Sequence, residues 1–251
     1  MNATGTPSGM QPEVSVVIPV CNEAENIEPL AREIDAALRG RVPFEIIYVD
    51  DGSTDATADI ARRLRERELP NLRLLRHSFR SGQSAAVRSG VAAARAPWVA
   101  TLDGDGQNDP ADLPKFLDAR REPANADVLL IMGNRVTRRD TWLRRLSSRI
   151  ANGVRSSLLG DGTPDTGCGI KIFHRDTFLS LPAFDHMHRF LPALFMRAGS
   201  QVVSIPVNHR PRTRGKSKYG LHNRLWVGIV DLFGVMWLRA RYRAGLKVTE
   251  G

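Results

Sequence analysis

Residues 14–20, VSVVIPV, decide the fold that this sequence predicts. The run is short, apolar and rich in β-branched residues, which is typical of a strand buried in a parallel sheet. Apolar residues then recur at helical spacing from Ile27 to Leu38, which predicts an amphipathic helix. A strand followed by such a helix is the repeating unit of an α/β fold.

The same alternation continues along the chain. Further strands are predicted at FEIIYVD (44–50), LRLLRH (72–77), PWVATLD (97–103) and DVLLIMG (127–133). Helical patterns separate them, and Ser53 or Thr54 is the predicted cap of the second helix. The sequence therefore predicts an α/β fold with a mostly parallel sheet and helices on both faces.

The pattern changes beyond residue 133. A basic helical segment is predicted at 141–159, and strand-like runs at TGCGIKIFHR (166–175) and QVVSIPVNHR (201–210). Within the 251 residues we expect a disordered leader at 1–12, one large domain at 13–222, and an amphipathic helix with a tail at 223–251. The apolar stretch at 225–238 is shorter than the ~20 residues of a membrane span and contains Asp231, so no transmembrane helix is predicted.

Charge and cysteine content narrow the class of protein. The formal net charge is +9, which favours an anionic partner such as nucleic acid, a phosphate-bearing substrate or an anionic membrane surface. Cys21 and Cys168 stand far apart in no metal-binding or redox spacing. They predict a reducing compartment and two small buried residues.

Polar clusters follow three of the predicted strands. They are CNEAEN (21–26), DDGS (50–53) and DGD (103–105). Any one of them is typical of a polar turn or a helix cap. The carboxyl ends of parallel strands meet at one edge of a sheet, where α/β proteins bind ligands, so three clusters at equivalent positions predict a binding site.

The third cluster, within TLDGDGQNDP (101–110), predicts a metal site. An EF-hand loop starting at Asp103 would need glycine at Asn108 and glutamate at Pro114, so that motif is excluded. The dinucleotide G-x-G-x-x-G and the phosphate-loop motifs are absent from the sequence. Two carboxylates at a strand end, followed by Gln107, suit Mg²⁺ or Mn²⁺ whose remaining ligands come from substrate phosphates.

Several segments, in this order, resemble the family 2 glycosyltransferases of GT-A fold. They are VSVVIPVCNEAENI, VDDGSTDAT, SGQSAAVRSG and LDGDGQNDP. The later motifs GNR (133–135), DTGCG (165–169) and RTRGKSKYG (212–220) resemble the polyprenol-phosphate sugar synthases of that family, such as dolichol-phosphate mannose synthase. The resemblance covers residues 14 to about 222.

The resemblance implies a role for each matching residue. Contacts to the nucleotide are implied for Pro19, Asn22, Glu23, Asp51 and Asp103. A site for Mg²⁺ or Mn²⁺ is implied for Asp103, Asp105 and Gln107. Contacts to the donor diphosphate and the acceptor phosphate are implied for Arg135, Arg149, Arg212, Ser217 and Lys218. Asp165 takes the place of an acceptor-side carboxylate, and the catalytic set is Asp103, Asp105, Arg135 and Asp165.

The predicted reaction is transfer of a hexose from a UDP- or GDP-sugar to a polyprenyl phosphate, with inversion at the anomeric carbon. An ionised phosphate acceptor needs positioning rather than a strong general base. One alternative is transfer to a saccharide hydroxyl, for which Asp165 is the first candidate base. A second alternative is a basic, non-enzymatic module that binds nucleotides or membranes.

Two basic clusters and the C-terminal helix predict further contacts. The first cluster contains Arg135, Arg138, Arg139, Arg144, Arg145, Arg149 and Arg155, and the second contains Arg210, Arg212, Arg214, Lys216, Lys218 and Arg224. We interpret Arg138, Arg139 and Arg155 as a solvated face, and no nucleic-acid-binding motif accompanies the charge. Trp226, Phe233, Trp237 and Tyr242, flanked by arginines, favour peripheral association with the cytoplasmic face of the plasma membrane.

The same helix is also consistent with a contact in a homo-oligomer. His186, His188 and Arg189 lie in DHMHRF (185–190). The two histidines are interpreted as structural residues, and a place beside the acceptor is the alternative for all three residues.

Overall fold

The structure is a computed structural model that describes residues 11–135, 153, 155, 158–211 and 222–241. In the last helix the side chains are described from residue 228 onward. The predicted helix at 141–159 therefore lies mostly outside the described residues.

Within the described ranges, seven strands form one sheet with the spatial order β3-β2-β1-β4-β6-β5-β7. The strands are β1 (Val14–Val20), β2 (Phe44–Asp50), β3 (Leu72–Arg76), β4 (Trp98–Thr101), β5 (Val128–Arg135), β6 (Lys171–His174) and β7 (Gln201–Val207). β1 pairs in parallel with β2 and β4, and β2 pairs in parallel with β3. The mostly parallel sheet predicted from the sequence is thus confirmed.

β6 departs from the simple alternation. It lies between β4 and β5 and runs antiparallel to both, while β7 returns to pair in parallel with β5. The insertion carries the segment before Lys171 to the carboxyl end of β4, beside the acidic cluster that follows that strand.

Helices cover both faces of the sheet. They are α1 (Ala24–Leu38), α2 (Thr57–Arg67), α3 (Gln83–Ala93), α4 (Leu113–Arg121), α5 (Arg175–Ser180), α6 (Leu191–Arg197) and α7 (His222–Arg241). The first core, on one face, contains residues of α1, α2 and α4. The second core, on the other face, contains residues of α3, α5, α6 and α7.

The predicted cap of α2 was wrong. The helix begins at Thr57, and it is the Asp55 carboxylate that accepts hydrogen bonds from the Thr57 N–H and hydroxyl. Ser53 instead accepts a hydrogen bond from the N–H of Asn22, because the loop after β2 lies against the loop after β1.

A glycine lets α3 approach the sheet closely. A Cβ at Gly90 would lie 2.3 Å from Cγ1 of Val17 on β1 and 3.0 Å from Cγ2 of Val49 on β2. A larger residue would push the helix away from the sheet. The position of α3 matters because its first residue, Gln83, reaches the polar edge of the sheet.

Candidate active site at the carboxyl edge of the sheet

The loops after β1 and β2 are joined to each other. The N–H of Asp51 donates to the Val20 carbonyl (2.8 Å). The Asn22 N–H donates to Ser53 Oγ (2.8 Å), and Asn22 Oδ1 accepts from the Thr54 N–H (2.7 Å). Asn22 has a φ of 51°, in the left-handed region that asparagine tolerates better than most residues. These two loops form one surface. They contain three of the predicted nucleotide contacts, Asn22, Glu23 and Asp51, and a fourth, Pro19, lies near the end of β1.

Asp51 joins this surface to the loop between β3 and α3. Its Oδ1 accepts from the Ser81 N–H (2.7 Å) and lies 2.8 Å from His77 Nδ1, and its Oδ2 accepts from the Gly82 N–H (2.8 Å). The residue is buried. A carboxylate has about four acceptor directions, so these contacts leave room for a donor on a ligand.

The acidic loop after β4 is ordered by its own polar residues. The Asp103 N–H donates to Asn108 Oδ1 (2.9 Å), and the Gln107 N–H donates to Asp105 Oδ1 (3.1 Å). Asp109 accepts from the Ala111 N–H and caps the short 3-10 turn that begins at Pro110. Asp103 and Asp105 therefore lie in an ordered loop directly before that turn.

Asp103 lies in a polar and crowded environment. Its Oδ1 accepts from Gln83 Nε2 (2.9 Å). Burial raises the pKa of Asp103, and the neighbouring charge of Asp105 raises it further, while Lys171, Arg135 and the Gln83 hydrogen bond oppose the increase. The two carboxylates are therefore crowded enough to repel each other.

This donor set fits a divalent cation. Like charges held together at a site are relieved by a cation between them, and Mg²⁺ and Mn²⁺ favour carboxylate oxygens. Across the described ranges, no three His, Cys, Asp or Glu side chains are grouped to hold a metal. Mg²⁺ sites commonly take one or two carboxylates from the protein and are completed by water and substrate phosphates.

Arg135 and Asp165, predicted as separate catalytic residues, contact each other. Arg135 Nε donates to Asp165 Oδ2 (2.6 Å), and a terminal guanidinium nitrogen donates to Oδ1 (2.7 Å). Such a two-point pair is among the strong hydrogen-bonded ion pairs. Both partners are largely buried, so the pair holds the end of β5 against the segment before β6.

Lys171 was not predicted as a site residue. It is buried on β6 opposite Thr101, and its Nζ donates to the carbonyl of Cys168. Burial lowers its pKa, although the charges of Asp103 and Asp165 partly offset that effect. A lysine inside the strand-like run TGCGIKIFHR was the signal that could have revealed it. Gln83, in the motif SGQSAAVRSG, was missed as well.

The two histidines of DHMHRF lie in different contacts. His188 Nδ1 is 2.7 Å from Ser84 Oγ on α3, whereas His186 Nδ1 is 3.1 Å from Asp231 Oδ2 on α7. Burial, and then the charges of Lys171, Arg189 and His186, lower the pKa of His188 to about 3. Both histidines thus have partners in the fold, as the structural interpretation predicted.

Some basic residues have partners that the sequence did not predict. Arg155 is not on a solvated face, because its side chain is largely buried against Asp161 and donates to the Thr163 carbonyl. Arg210 pairs with Glu33 and Asp109. Four predicted phosphate contacts lie outside the described residues: Arg149, Arg212, Ser217 and Lys218.

The cysteine prediction is confirmed for one residue. Cys168 is fully buried, and Cys21 is only partly so, since it lies in the loop that follows β1. Among the described residues, no helix has the length and apolar character that crossing a bilayer requires.

The sequence comparisons identify the family. The family model of glycosyl transferase family 2 matches residues 15–181. The chain is 36% identical over 236 residues to dodecaprenyl-phosphate galacturonate synthase of Rhizobium johnstonii, covering 92% of this chain and 68% of that protein. The chain belongs to glycosyl transferase family 2.

A second curated relative carries a related name. It is undecaprenyl-phosphate 4-deoxy-4-formamido-L-arabinose transferase of Edwardsiella ictaluri, 33% identical over 209 residues. The match covers 83% of this chain, which spans 63% of the length of that relative.

Solved structures share the GT-A fold. Glucosyl-3-phosphoglycerate synthase of Mycobacterium tuberculosis, in complex with Mn²⁺, UDP and glucosyl-3-phosphoglycerate, has a TM-score of 0.68 at 19% identity. The likeness covers 95% of this chain and 84% of that one. A mannosyltransferase of Pyrobaculum calidifontis, in complex with GDP-mannose and Mn²⁺, has a TM-score of 0.62 at 20% identity over 94% and 66% of the chains.

Proposed function

We propose that this protein is a metal-dependent, inverting glycosyltransferase that moves a hexose from a nucleoside-diphosphate sugar to a polyprenyl phosphate. The observation that carries the proposal is the pair of crowded carboxylates, Asp103 and Asp105, at the carboxyl edge of a family 2 sheet. The names of the two curated relatives support a polyprenyl-phosphate acceptor.

The donor nucleotide is proposed to lie on the joined loops after β1 and β2. Pro19, Asn22, Glu23 and Asp51 would contact its base and ribose, and Asp51 is held in place for this by the Ser81 and Gly82 amides. The presence of UDP in one structural neighbour and of GDP-mannose in another supports a nucleotide at this edge.

The donor diphosphate is proposed to meet Mg²⁺ or Mn²⁺ held by Asp103, Asp105 and Gln107. When bound, the cation stabilises the negative charge that develops on the departing diphosphate. Within the chain, the Gln83 amide orients the Asp103 carboxylate, and Lys171 and Arg135 add positive charge nearby. In such a site, the main source of catalysis is positive charge that is already in position to stabilise the charge developing in the transition state.

The Arg135–Asp165 pair favours a phosphate acceptor over a saccharide hydroxyl. A hydroxyl acceptor would require a general base, and the first candidate, Asp165, has both oxygens engaged by the guanidinium. A phosphate monoester is already ionised at neutral pH because its second pKa is about 6. Its oxygen forms the new bond to the anomeric carbon from the side opposite the leaving group. The released nucleoside diphosphate retains the electrons of the broken bond.

The acceptor's lipid part is proposed to bring the protein to the cytoplasmic face of the membrane. Val230, Phe233 and Trp237 of α7 are exposed, and Arg239 and Arg241 are in its last turn. An apolar stripe beside cations is typical of helices that lie on anionic bilayers. Arg149, Arg212, Ser217 and Lys218 remain the proposed contacts to phosphate groups.

The test is transfer of radiolabelled sugar from UDP- and GDP-hexoses into an organic-soluble product, with undecaprenyl phosphate as acceptor and Mn²⁺ present. A thermal-shift screen of the same donors, in which binding raises the melting temperature, would select the donor first. Asp105→Ala should lose at least about a hundredfold of the transfer rate without a change in the circular dichroism spectrum. Asp118→Ala, an exposed carboxylate on α4, is the control and should transfer normally.

Three outcomes would contradict the proposal: transfer that survives chelation of divalent ions, a product that retains the anomeric configuration, or absence of transfer from any nucleotide hexose. Label that appears only on an oligosaccharide hydroxyl would favour the alternative acceptor. A shift of random duplex DNA on a gel, without sugar transfer, would favour a binding module.

A further inference from the structure

The first turn of α3 is held from two sides. Before the helix, the Ser81 and Gly82 amides donate to Asp51. Within its first turn, Ser84 contacts His188, a residue 104 positions away in the chain. Gln83 lies between these two anchors and donates to Asp103. The direction of the Gln83 amide therefore depends on both anchors.

Ser84 makes two contacts with His188. The backbone N–H of His188 donates to Ser84 Oγ (3.4 Å), and His188 Nδ1 lies 2.7 Å from the same oxygen. A hydroxyl can donate one hydrogen bond and accept two, so Ser84 can partner either tautomer of the ring. Ser84 is buried, so water cannot easily replace this partner.

We propose that His188 is a positioning residue for Asp103: through Ser84 it fixes the first turn of α3, and with it the Gln83 amide that orients the Asp103 carboxylate toward a divalent cation. The inference rests on the metal site of the proposed function. Groups that orient metal ligands typically change metal affinity by about 10–100-fold when they are removed.

The neighbouring histidine provides a matched control. His186 is two positions away on the same short segment, but it contacts Asp231 of α7 rather than α3. Removing its ring should disturb the segment without releasing Ser84. A difference between the two histidines would therefore separate positioning of the metal site from general support of the segment.

The test measures Mn²⁺ binding to the full chain by electron paramagnetic resonance of the free ion, without nucleotide or acceptor. His188→Leu and Ser84→Ala should each weaken Mn²⁺ binding by about tenfold. The variant with both changes should bind Mn²⁺ only slightly more weakly than either single variant. His188→Asn places a carboxamide, which can accept from or donate to the Ser84 hydroxyl, near the position of Nδ1 and should restore most of the affinity. His186→Leu should bind Mn²⁺ like the unmodified protein.

Kinetics give an independent readout. In the transfer assay, His188→Leu should raise the Mn²⁺ concentration for half-maximal rate, while the rate at saturating Mn²⁺ stays within about threefold. Ser84→Ala, the smaller change, keeps the test decisive if His188→Leu unfolds.

Unchanged Mn²⁺ affinity in both His188→Leu and Ser84→Ala would overturn the inference and leave the proposed transfer untouched. Equal losses in His186→Leu and His188→Leu would also overturn it. Conversely, a selective loss in His188→Leu would support the positioning role even in a protein that transferred no sugar to polyprenyl phosphate.

Discussion

Arg135 and Asp165 form a two-point ion pair in which Nε lies 2.6 Å from Oδ2 and a terminal nitrogen lies 2.7 Å from Oδ1. The backbone N–H of Arg135 also donates to Oδ2 (3.3 Å). The side chains are only 13% and 8% exposed. The pair therefore acts as a structural connection between the end of β5 and the loop before β6, at the edge where the candidate site lies.

Removing one partner of this pair should destabilise the protein strongly. Asp165→Ala leaves the Arg135 guanidinium buried without its carboxylate, and we expect the free energy of unfolding to fall by about 3 kcal/mol. Arg135→Ala should cost a similar amount. The double variant should cost less than the sum, because the second removal breaks no further pair. Urea unfolding at pH 7 measures all three.

Arg32 offers a control for the ion-pair prediction. Its pairs with Glu28 and Glu68 are about half exposed, so Arg32→Ala should lower the free energy of unfolding much less than Asp165→Ala does. Strictly additive costs for Arg135→Ala and Asp165→Ala would contradict the structural role of the buried pair.

Gly169 should be intolerant of any side chain because of Asp103. A Cβ at this position would lie 2.2 Å from Asp103 Oδ2 and 2.5 Å from Asn108 Oδ1. Gly169→Ala must therefore displace the carboxylate or the loop that orders it, and we expect Mn²⁺ affinity to fall by at least about tenfold. Electron paramagnetic resonance of free Mn²⁺ measures the loss.

Gly234→Ala is the matched control for Gly169→Ala. Among the described residues, nothing outside the neighbouring backbone of the helix lies within 4 Å of its added Cβ, and the residue is inside α7. Alanine should stabilise the helix by up to about 1 kcal/mol and leave Mn²⁺ affinity unchanged. Unaltered Mn²⁺ binding by Gly169→Ala would show that Asp103 is not held as the structure indicates.

The partly buried imidazole of His188 makes stability depend on pH. Its pKa is about 3 in the folded protein, against 6.5 for an unperturbed histidine, so between these values the unfolded chain binds a proton that the folded chain does not. The contribution is fully present above pH 6.5 and is lost as pH falls toward 3. The free energy of unfolding should decrease by about 1.4 kcal/mol per pH unit from this group.

His188→Asn removes the titrating group. The free energy of unfolding of this variant should therefore fall less steeply between pH 6 and pH 4 than that of the unmodified protein. Carboxylates elsewhere titrate equally in both proteins. The difference between their slopes of unfolding free energy against pH therefore gives the contribution of His188. Urea unfolding at four pH values measures it. Parallel curves would mean that His188 is protonated in the folded state.

The exposed stripe of α7 should bind anionic bilayers. Val230, Phe233 and Trp237 are 68%, 63% and 60% exposed, whereas Val235 of the same helix is buried in the second core. The double change Phe233→Ser, Trp237→Ser should abolish co-sedimentation with phosphatidylglycerol vesicles at low salt. We expect this loss of binding because the double change removes the apolar side-chain area that the membrane would cover.

Phe79→Ser is the control, since Phe79 is 71% exposed in a different loop, between β3 and α3. It should sediment like the unmodified protein. If the α7 change left sedimentation intact but altered the mass in size-exclusion chromatography, the stripe would be a contact between copies of this chain.

Local patterns in the sequence predicted much of the architecture. Apolar β-branched runs located β1, β2 and β4, and the polar clusters after them were correctly expected to share one edge. These features depend on the preferences of residues a few positions apart, such as side-chain alternation and turn formation. The antiparallel insertion of β6 was not predictable in this way, because strand pairing joins segments that are distant in the chain.

By itself, then, the sequence determined the α/β class, the acidic edge and the family resemblance. Only the tertiary structure decided which polar groups meet. With 36 basic and 27 acidic residues, composition leaves very many possible ion pairs. The fold selects Asp165 for Arg135, 30 positions away, and Ser84 for His188, 104 positions away. A buried charge or imidazole must find a partner, but the partner is set by how the sheet and its helices pack, which no local pattern encodes.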